Sequence, residues 1–207
     1  MNVNTITVIG AGLMGRGIAQ VSAQAGFTTH LCDISKEQLE KGVGTIKKFL
    51  EKDLAKEKIT KTEMEAILGR LIPSTSLDAL DKSQVVIEAV TENTELKKKI
   101  FKELDEKCKP DTIIATNTSS IPITEIAAVT KRPDKVIGMH FMNPVPVMKL
   151  SEIVMGYSTS QETLQTIKEL SEKMKKIVIV AKRDFAGFIV NRITLPIVNE
   201  AIWLLHD

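Results

Sequence analysis

One histidine and one glutamate in the sequence could transfer a proton together. His140 ends one apolar run, and Glu152 lies in the next apolar run along the chain. A histidine titrates near neutral pH, and a carboxylate bonded to its second ring nitrogen fixes the tautomer and stabilises the imidazolium. Such a pair suits the removal of a hydroxyl proton while a hydride leaves a secondary alcohol. A single histidine in a strand is otherwise a core residue, and the sequence alone leaves both interpretations open.

A second group of residues is typical of nucleotide binding. Residues 10–15 read Gly-Ala-Gly-Leu-Met-Gly, directly after a strand-like run and at the start of a helical pattern. There the first glycine allows a tight turn, the second lets a pyrophosphate approach the backbone, and the third lets helix and strand pack closely. Asp33 ends the next strand, where a carboxylate accepts the ribose hydroxyls of adenosine and repels a 2′-phosphate. The pattern favours NAD over NADP, with Lys36 close by as a contrary sign. The predicted cofactor contacts are Gly10, Gly12, Leu13, Met14, Gly15 and Asp33.

The elements that must position these residues alternate between strand-length apolar runs and helical patterns, which indicates a parallel sheet built from strand–helix–strand units. We predict strands at 5–9, 28–33, 85–89, 112–116, 135–139, 149–155 and 177–180, and helices at 12–25, 36–58, 61–69, 92–108, 161–175 and 187–207. The expected fold is an α/β, Rossmann-like, doubly wound and mainly parallel sheet with a helical hairpin inserted at about 36–70. Open sheets of this kind bind ligands at the carboxyl ends of their strands.

Composition narrows the class of protein further. The 207 residues are 43% hydrophobic and 26% charged, which is enough for one or two packed domains. A net charge of +2 argues against a protein whose main partner is a nucleic acid. No apolar run approaches the ~18 residues of a membrane helix, and the N-terminus lacks a signal-peptide pattern. Cys32 and Cys108 fit no zinc or redox spacing. We expect reduced thiols, no metal site and a cytoplasmic protein.

Four strings of the sequence resemble those of the 3-hydroxyacyl-CoA dehydrogenases, and most of all the bacterial 3-hydroxybutyryl-CoA dehydrogenases. They are GAGLMGRGIAQ at 10–20, NTSS at 117–120, HFMNPVPVMKL at 140–150 and GFIVNR at 187–192. The similarity extends over nearly the whole chain. It implies a reversible, NAD-dependent oxidation of (S)-3-hydroxyacyl-CoA, with a short chain such as 3-hydroxybutyryl-CoA, to 3-oxoacyl-CoA.

The resemblance also implies roles for individual residues. His140 would be the general base and Glu152 its partner. The substrate oxygen and thioester would be held by Ser119 and Asn191, and the cofactor and nicotinamide side would be lined by Glu92, Lys97 and Asn117. The phosphates of coenzyme A would be met by Lys52 and Lys56, which are four residues apart and share one helix face. A solvated face of a lysine-rich helix is the alternative interpretation of these two lysines.

Two departures from the family pattern concern the end of the sequence. Ala186 stands where the family usually has a proline, and we expect only a looser turn there. Family members continue beyond the position of Asp207 with a helical domain that closes the acyl pocket and supplies most of the dimer contact. We therefore expect an NAD-binding domain at 1–186, the first helix of a helical domain at 187–207 with the remainder missing, and a homodimer for the longer form.

Two other functions stay open from the sequence. One is a non-catalytic NAD-binding module. The other is a 3-hydroxyacid dehydrogenase of the 6-phosphogluconate-like group, which shares a similar glycine loop but resembles a site built on a catalytic lysine. The presence of His140 and Glu152 favours the 3-hydroxyacyl-CoA dehydrogenase.

Overall fold

The computed structural model describes residues 1–207, and its framework is one eight-stranded sheet in the order β3-β2-β1-β4-β5-β6-β7-β8. The first six strands are mutually parallel, β7 is antiparallel to β6, and β8 is parallel to β7. This arrangement confirms the predicted mainly parallel, Rossmann-like sheet. The strands are β1 (Thr5–Ile9), β2 (Thr28–Cys32), β3 (Leu71–Ser74), β4 (Val85–Glu88), β5 (Ile113–Thr116), β6 (Val136–Phe141), β7 (Leu150–Met155) and β8 (Ile177–Ala181).

Seven α-helices connect or follow these strands, and polar residues cap several of them. Ser35 and Asn93 accept hydrogen bonds from the first turns of their helices, and Thr60 forms a capping box with Glu63. Such caps satisfy N–H groups that have no partner inside the helix. The helices are α1 (Leu13–Gln24), α2 (Lys36–Ala55), α3 (Lys61–Arg70), α4 (Thr94–Lys107), α5 (Ile123–Ala127), α6 (Gln161–Lys173) and α7 (Val190–His206), with short 3₁₀ helices at Asp78–Lys82 and Pro133–Lys135.

Alternate residues of the strands enter two separate cores, as expected for a sheet covered on both faces. In β4, Val85 and Ile87 belong to a core of 27 buried residues, whereas Val86 belongs to a second core of 16. Aliphatic side chains make up most of both cores. The sheet is therefore packed on both faces, and its carboxyl edge can hold polar groups in fixed positions.

The structure differs from the sequence prediction at a few places that matter for the site. The strand β3 was not predicted, because it is a short edge strand that contains Pro73 and buries only Leu71. The predicted helix over 36–58 ends at Ala55, so Lys56 follows α2 rather than lying within it. The predicted helix over 92–108 begins at Thr94, so Glu92 lies in the loop before this helix. The strand β6 continues to Phe141 and includes the candidate histidine.

Helix α7 presents a broad apolar surface. None of its residues is buried, and Pro196 lies inside the helix. That further helical structure or a second subunit covers this surface stays a prediction, as do the domain boundaries. No helix of the chain is both long enough and apolar enough to cross a membrane. The exposed apolar side chains of α7 are Ile193, Leu195, Ile197, Val198, Ile202, Trp203, Leu204 and Leu205.

Candidate active site

The glycine loop after β1 shows three different reasons for glycine. Gly10 has a φ of +99°, and a Cβ there would lie 2.7 Å from the carbonyl oxygen of Ala89. A Cβ on Gly15 would lie 1.7 Å from the carbonyl oxygen of Gly10, so the start of α1 can approach β1 only without a side chain. A Cβ on Gly12 would meet no heavy atom within 4 Å. That space, directly over the loop, is where a pyrophosphate would approach the backbone.

Free donors and a fixed carboxylate surround this space. The backbone N–H groups of Gly12, Leu13 and Met14 donate to no acceptor in the protein. Asp33 accepts hydrogen bonds from the N–H groups of Ala11 and Ser35, at 2.8 and 2.9 Å, one on each carboxylate oxygen. Each oxygen keeps a further lone pair for a ribose hydroxyl. Donors at a helix N-terminus favour phosphate, so these residues fit a dinucleotide with an unmodified ribose.

At the other side of the carboxyl edge, the register of β6 and β7 places His140 directly opposite Glu152. The Nδ1 atom of His140 lies 2.9 Å from Oε2 of Glu152. The other oxygen, Oε1, accepts hydrogen bonds from the N–H groups of Ile189 and Val190 at 2.6 and 3.2 Å. Both side chains are buried, with 0% of Glu152 and 7% of His140 exposed. The carboxylate is therefore fixed between the histidine and the segment that begins α7.

These contacts decide the protonation of the pair. Burial by itself raises the pKa of Glu152, but the hydrogen bonds from His140, Ile189 and Val190 outweigh it and leave this pKa below its ordinary value. An ionised carboxylate only accepts hydrogen bonds, so Nδ1 of His140 carries a proton. Nε2, the other ring nitrogen, forms no hydrogen bond within the protein. The ring packs edge-on against Phe188, with 5.8 Å between ring centroids.

A second carboxylate organises the loop that follows β5. Oε1 of Glu92 accepts hydrogen bonds from the Thr118 hydroxyl at 2.5 Å and from the N–H groups of Ser119 and Ser120 at 3.0 and 3.2 Å. The hydroxyl of Ser119 lies 3.4 Å from the same oxygen. Burial raises the pKa of Glu92, but these donors and the nearby Lys97 ammonium together lower it. Glu92 is therefore an anion that fixes the serine loop.

A buried ion pair lies next to Glu92, the residue that fixes this loop. The ammonium of Lys97 lies 2.6 Å from Oε1 of Glu88 and 3.6 Å from Glu92. The second oxygen of Glu88 accepts a hydrogen bond from the Thr116 hydroxyl at 2.6 Å. Glu88 was not predicted as part of the site. A charged residue within the otherwise apolar run 85–89 was the available signal, since a buried carboxylate needs a partner.

Residues 5–185 match the family described as "3-hydroxyacyl-CoA dehydrogenase, NAD binding domain". The chain belongs to the 3-hydroxyacyl-CoA dehydrogenase family. A probable 3-hydroxybutyryl-CoA dehydrogenase of Bacillus subtilis is 49% identical over 207 residues, which are 100% of this chain and 72% of that protein. The (S)-3-hydroxybutyryl-CoA dehydrogenase of Ralstonia eutropha has a structure with a TM-score of 0.96 and 45% identity, over 99% of this chain and 72% of that one. Both the resemblance and the NAD cofactor are confirmed.

Three further residues predicted from the 3-hydroxyacyl-CoA dehydrogenase resemblance are Asn117, Asn191 and Lys97. Asn117 accepts a hydrogen bond from the N–H of Phe141 at 2.9 Å, which ties the end of β5 to the end of β6. Asn191 is half-buried and follows Val190, whose N–H reaches Glu152. Lys97 is buried in its ion pair, so its predicted place on the cofactor side stays a prediction.

The two lysines predicted to meet coenzyme A lie apart from these contacts in this 3-hydroxyacyl-CoA dehydrogenase domain. Lys52 is in the last turn of α2 and Lys56 directly follows the helix, and both are exposed. The Lys52 ammonium lies 5.9 Å from the ring centre of Phe49, which is also exposed. The structure thus leaves both ammonium groups accessible to an anionic ligand, and their role stays a prediction.

The turn before α7 forms without the proline that the family usually has. The N–H of Phe188 donates to the carbonyl of Phe185 at 2.9 Å, with Ala186 between them. Gly187 and Phe188 both have positive φ, of 78° and 49°. This turn presents Ile189 to Glu152.

Proposed function

We propose that the protein catalyses the reversible, NAD-dependent oxidation of short-chain (S)-3-hydroxyacyl-CoA to 3-oxoacyl-CoA, with 3-hydroxybutyryl-CoA as its substrate. The observation that carries this proposal is the buried pair of His140 and Glu152, at the same edge of the sheet as the glycine loop. Its substrate class follows the relatives, which are named 3-hydroxybutyryl-CoA dehydrogenases.

His140 is the proton acceptor in this proposal. NAD, when bound, supplies the acceptor for the hydride of the substrate carbon. Nε2 of His140 takes the hydroxyl proton, while Nδ1 keeps its hydrogen bond to Glu152. The low pKa of Glu152 keeps it ionised, so its charge balances the imidazolium that forms. In the reverse direction the same imidazolium returns the proton to the oxygen of the 3-oxo group.

The remaining residues hold the two ligands. Ser119, fixed through Glu92, and Asn191 orient the substrate oxygen and thioester. Glu92, Lys97 and Asn117 line the nicotinamide side. An accessible pair of ammonium groups at the end of α2, on Lys52 and Lys56, meets the phosphates of coenzyme A. A homodimer, which the family resemblance implies, and a cytoplasmic location, which the sequence pattern favours, belong to the same proposal.

The test is NADH oxidation with acetoacetyl-CoA, measured for the wild-type protein, His140→Ala and His206→Ala. His206 lies at the exposed end of α7 and serves as the matched control. We expect His140→Ala to lower turnover about 1,000-fold, because general-base catalysis is lost, with NADH affinity unchanged. Equal turnover in His140→Ala would contradict the role of the pair. A wild-type protein that binds NADH and acetoacetyl-CoA without turnover would instead be a non-catalytic NAD-binding module.

A further inference from the structure

The catalytic pair lies on two strands joined by one connection, residues 142–149. His140 is on β6 and Glu152 is on β7, and they meet because the two strands pair in one register. Side chains of a strand alternate between its faces, so a slip of one residue would turn Glu152 to the opposite face. The conformation of this connection therefore decides whether the carboxylate meets the histidine.

Lys176 fixes this connection from outside it. The residue directly precedes β8, and only 7% of it is exposed. Its ammonium donates to the carbonyl oxygens of Val145 and Met148, at 2.5 and 2.8 Å. Neither carbonyl accepts another hydrogen bond from the protein. Burial lowers the pKa of Lys176, and both hydrogen-bond partners of its amino group are neutral carbonyls, so no carboxylate offsets the cost of burial.

The connection is also packed against the helix that follows the glycine loop. Only 2% of Val145 is exposed, and a Cβ on Gly17 of α1 would lie 2.9 Å from the Val145 Cβ. On the other side, the N–H of Ile177 donates to the carbonyl of Lys149 at 2.8 Å. The connection is thus held between α1 and the start of β8. Of the contacts described here, only those of Lys176 involve a side-chain hydrogen-bond donor.

We propose that Lys176 is a positioning residue for the reaction, which holds the connection 142–149 and so keeps Glu152 aligned with Nδ1 of His140. Lys176 itself touches neither member of the pair. The inference rests on the proposed function, because it takes this pair as the catalytic one.

The test compares Lys176→Met with Lys176→Arg and with Lys173→Met. Methionine has a similar length but no donor, arginine keeps donors and charge, and Lys173 is an exposed lysine in the last turn of α6. Three quantities are measured: kcat with acetoacetyl-CoA, the Kd for NADH, and the Nδ1–H resonance of His140 in ¹⁵N-histidine-labelled protein. The His140→Ala protein identifies that resonance by its absence.

We expect Lys176→Met to lower kcat about 10-fold, as for other outer partners that orient a reactive group, with an unchanged Kd for NADH. Its Nδ1–H resonance should broaden through faster exchange with water. Lys176→Arg should recover most of both losses, and Lys173→Met should match the wild type. A purely structural role would lower thermal stability without moving the resonance.

Wild-type kcat and an unchanged resonance in Lys176→Met would overturn the inference. If that variant does not fold, Lys176→Leu, which also removes the donors but occupies less of the buried space, decides: wild-type values of both quantities would overturn the inference, and a loss of both would support it. A wild-type protein without turnover would instead contradict the proposed function, and the resonance would still test Lys176.

Discussion

The glycine loop and the histidine–glutamate pair lie at one edge of the same sheet but are built in different ways. The loop 10–15 is continuous in sequence and acts through backbone N–H groups and through the absence of side chains. The pair joins two side chains across strands, and Glu152 needs three donors from two distant segments. Cofactor binding by the loop should therefore be sensitive to an added side chain, whereas catalysis by the pair should be sensitive to the loss of a hydrogen-bond acceptor on Glu152.

The largest effect that would test this difference is expected from two alanine substitutions in the loop. Gly15→Ala places a Cβ 1.7 Å from the Gly10 carbonyl oxygen, so the backbone must move and the cradle for the pyrophosphate is lost. Gly12→Ala meets no protein atom and should leave thermal stability unchanged, but its Cβ occupies the space over the loop. We expect both to weaken NADH binding more than about 100-fold, or about 2.7 kcal/mol. NADH fluorescence titration and thermal unfolding measure the two properties separately.

Gly44→Ala is the matched control, because that glycine lies within α2 and its Cβ would also meet nothing within 4 Å. It should bind NADH as the wild type does. If Gly12→Ala also bound NADH normally, the open space over the loop would not be the approach path of the pyrophosphate. That result would mean that the loop 10–15 does not bind the cofactor through the absence of a side chain at Gly12.

The next effect should come from replacing Glu152 by glutamine. The amide has one acceptor oxygen, so it cannot serve both His140 and the N–H groups of Ile189 and Val190. We expect kcat with acetoacetyl-CoA to fall about 10- to 100-fold, with the Kd for NADH unchanged. Glu200→Gln, on the exposed face of α7, is the control and should retain wild-type kcat. Wild-type kcat in Glu152→Gln would mean that the carboxylate charge and its second acceptor are not needed.

The same difference explains which features could be predicted from the sequence. The glycine loop and Asp33 were predictable because their contacts are local and follow a strand. The pairing of His140 with Glu152 was predictable as a possibility, since a strand that returns beside its neighbour brings such residues together. Its geometry was not, because the register depends on a connection whose conformation no local pattern specifies.

Long-range polar contacts account for most of what was missed. Lys176 bonds to carbonyls 28 and 31 residues away, and a lysine beside another lysine gives no sign of burial. Glu92 was predicted through the family resemblance, but its hydrogen bonds to residues 118–120 depend on the pairing of β4 with β5. Lys56 was placed in a helix because the lysine-rich pattern continues beyond Ala55, whereas the chain turns at Glu57 with a φ of 54°.

The smallest expected effect concerns acid stability and compares the two carboxylates that organise the site. Both Glu92 and Glu152 have lowered pKa values in the folded protein. A lowered pKa means that the unfolded chain binds protons first, so the stability that each carboxylate contributes is present above the unfolded value of about 4.3 and is lost as pH falls through the folded value. Below that window neither group contributes. The free energy of unfolding should therefore decrease as the pH falls below about 5.

Glutamine at either position should make this decrease shallower, because an amide does not titrate there. For Glu92, of which 39% of the side chain is exposed, solvent screening limits the loss at neutral pH to about 1 kcal/mol. Urea unfolding of the wild type, Glu92→Gln and Glu152→Gln at several pH values between about 3 and 7 measures both effects. A wild-type slope in Glu92→Gln would mean that the serine loop is held by its backbone alone. The anion at Glu92 would then serve the ligand rather than the fold, and the serine loop would resemble the glycine loop more than the histidine–glutamate pair.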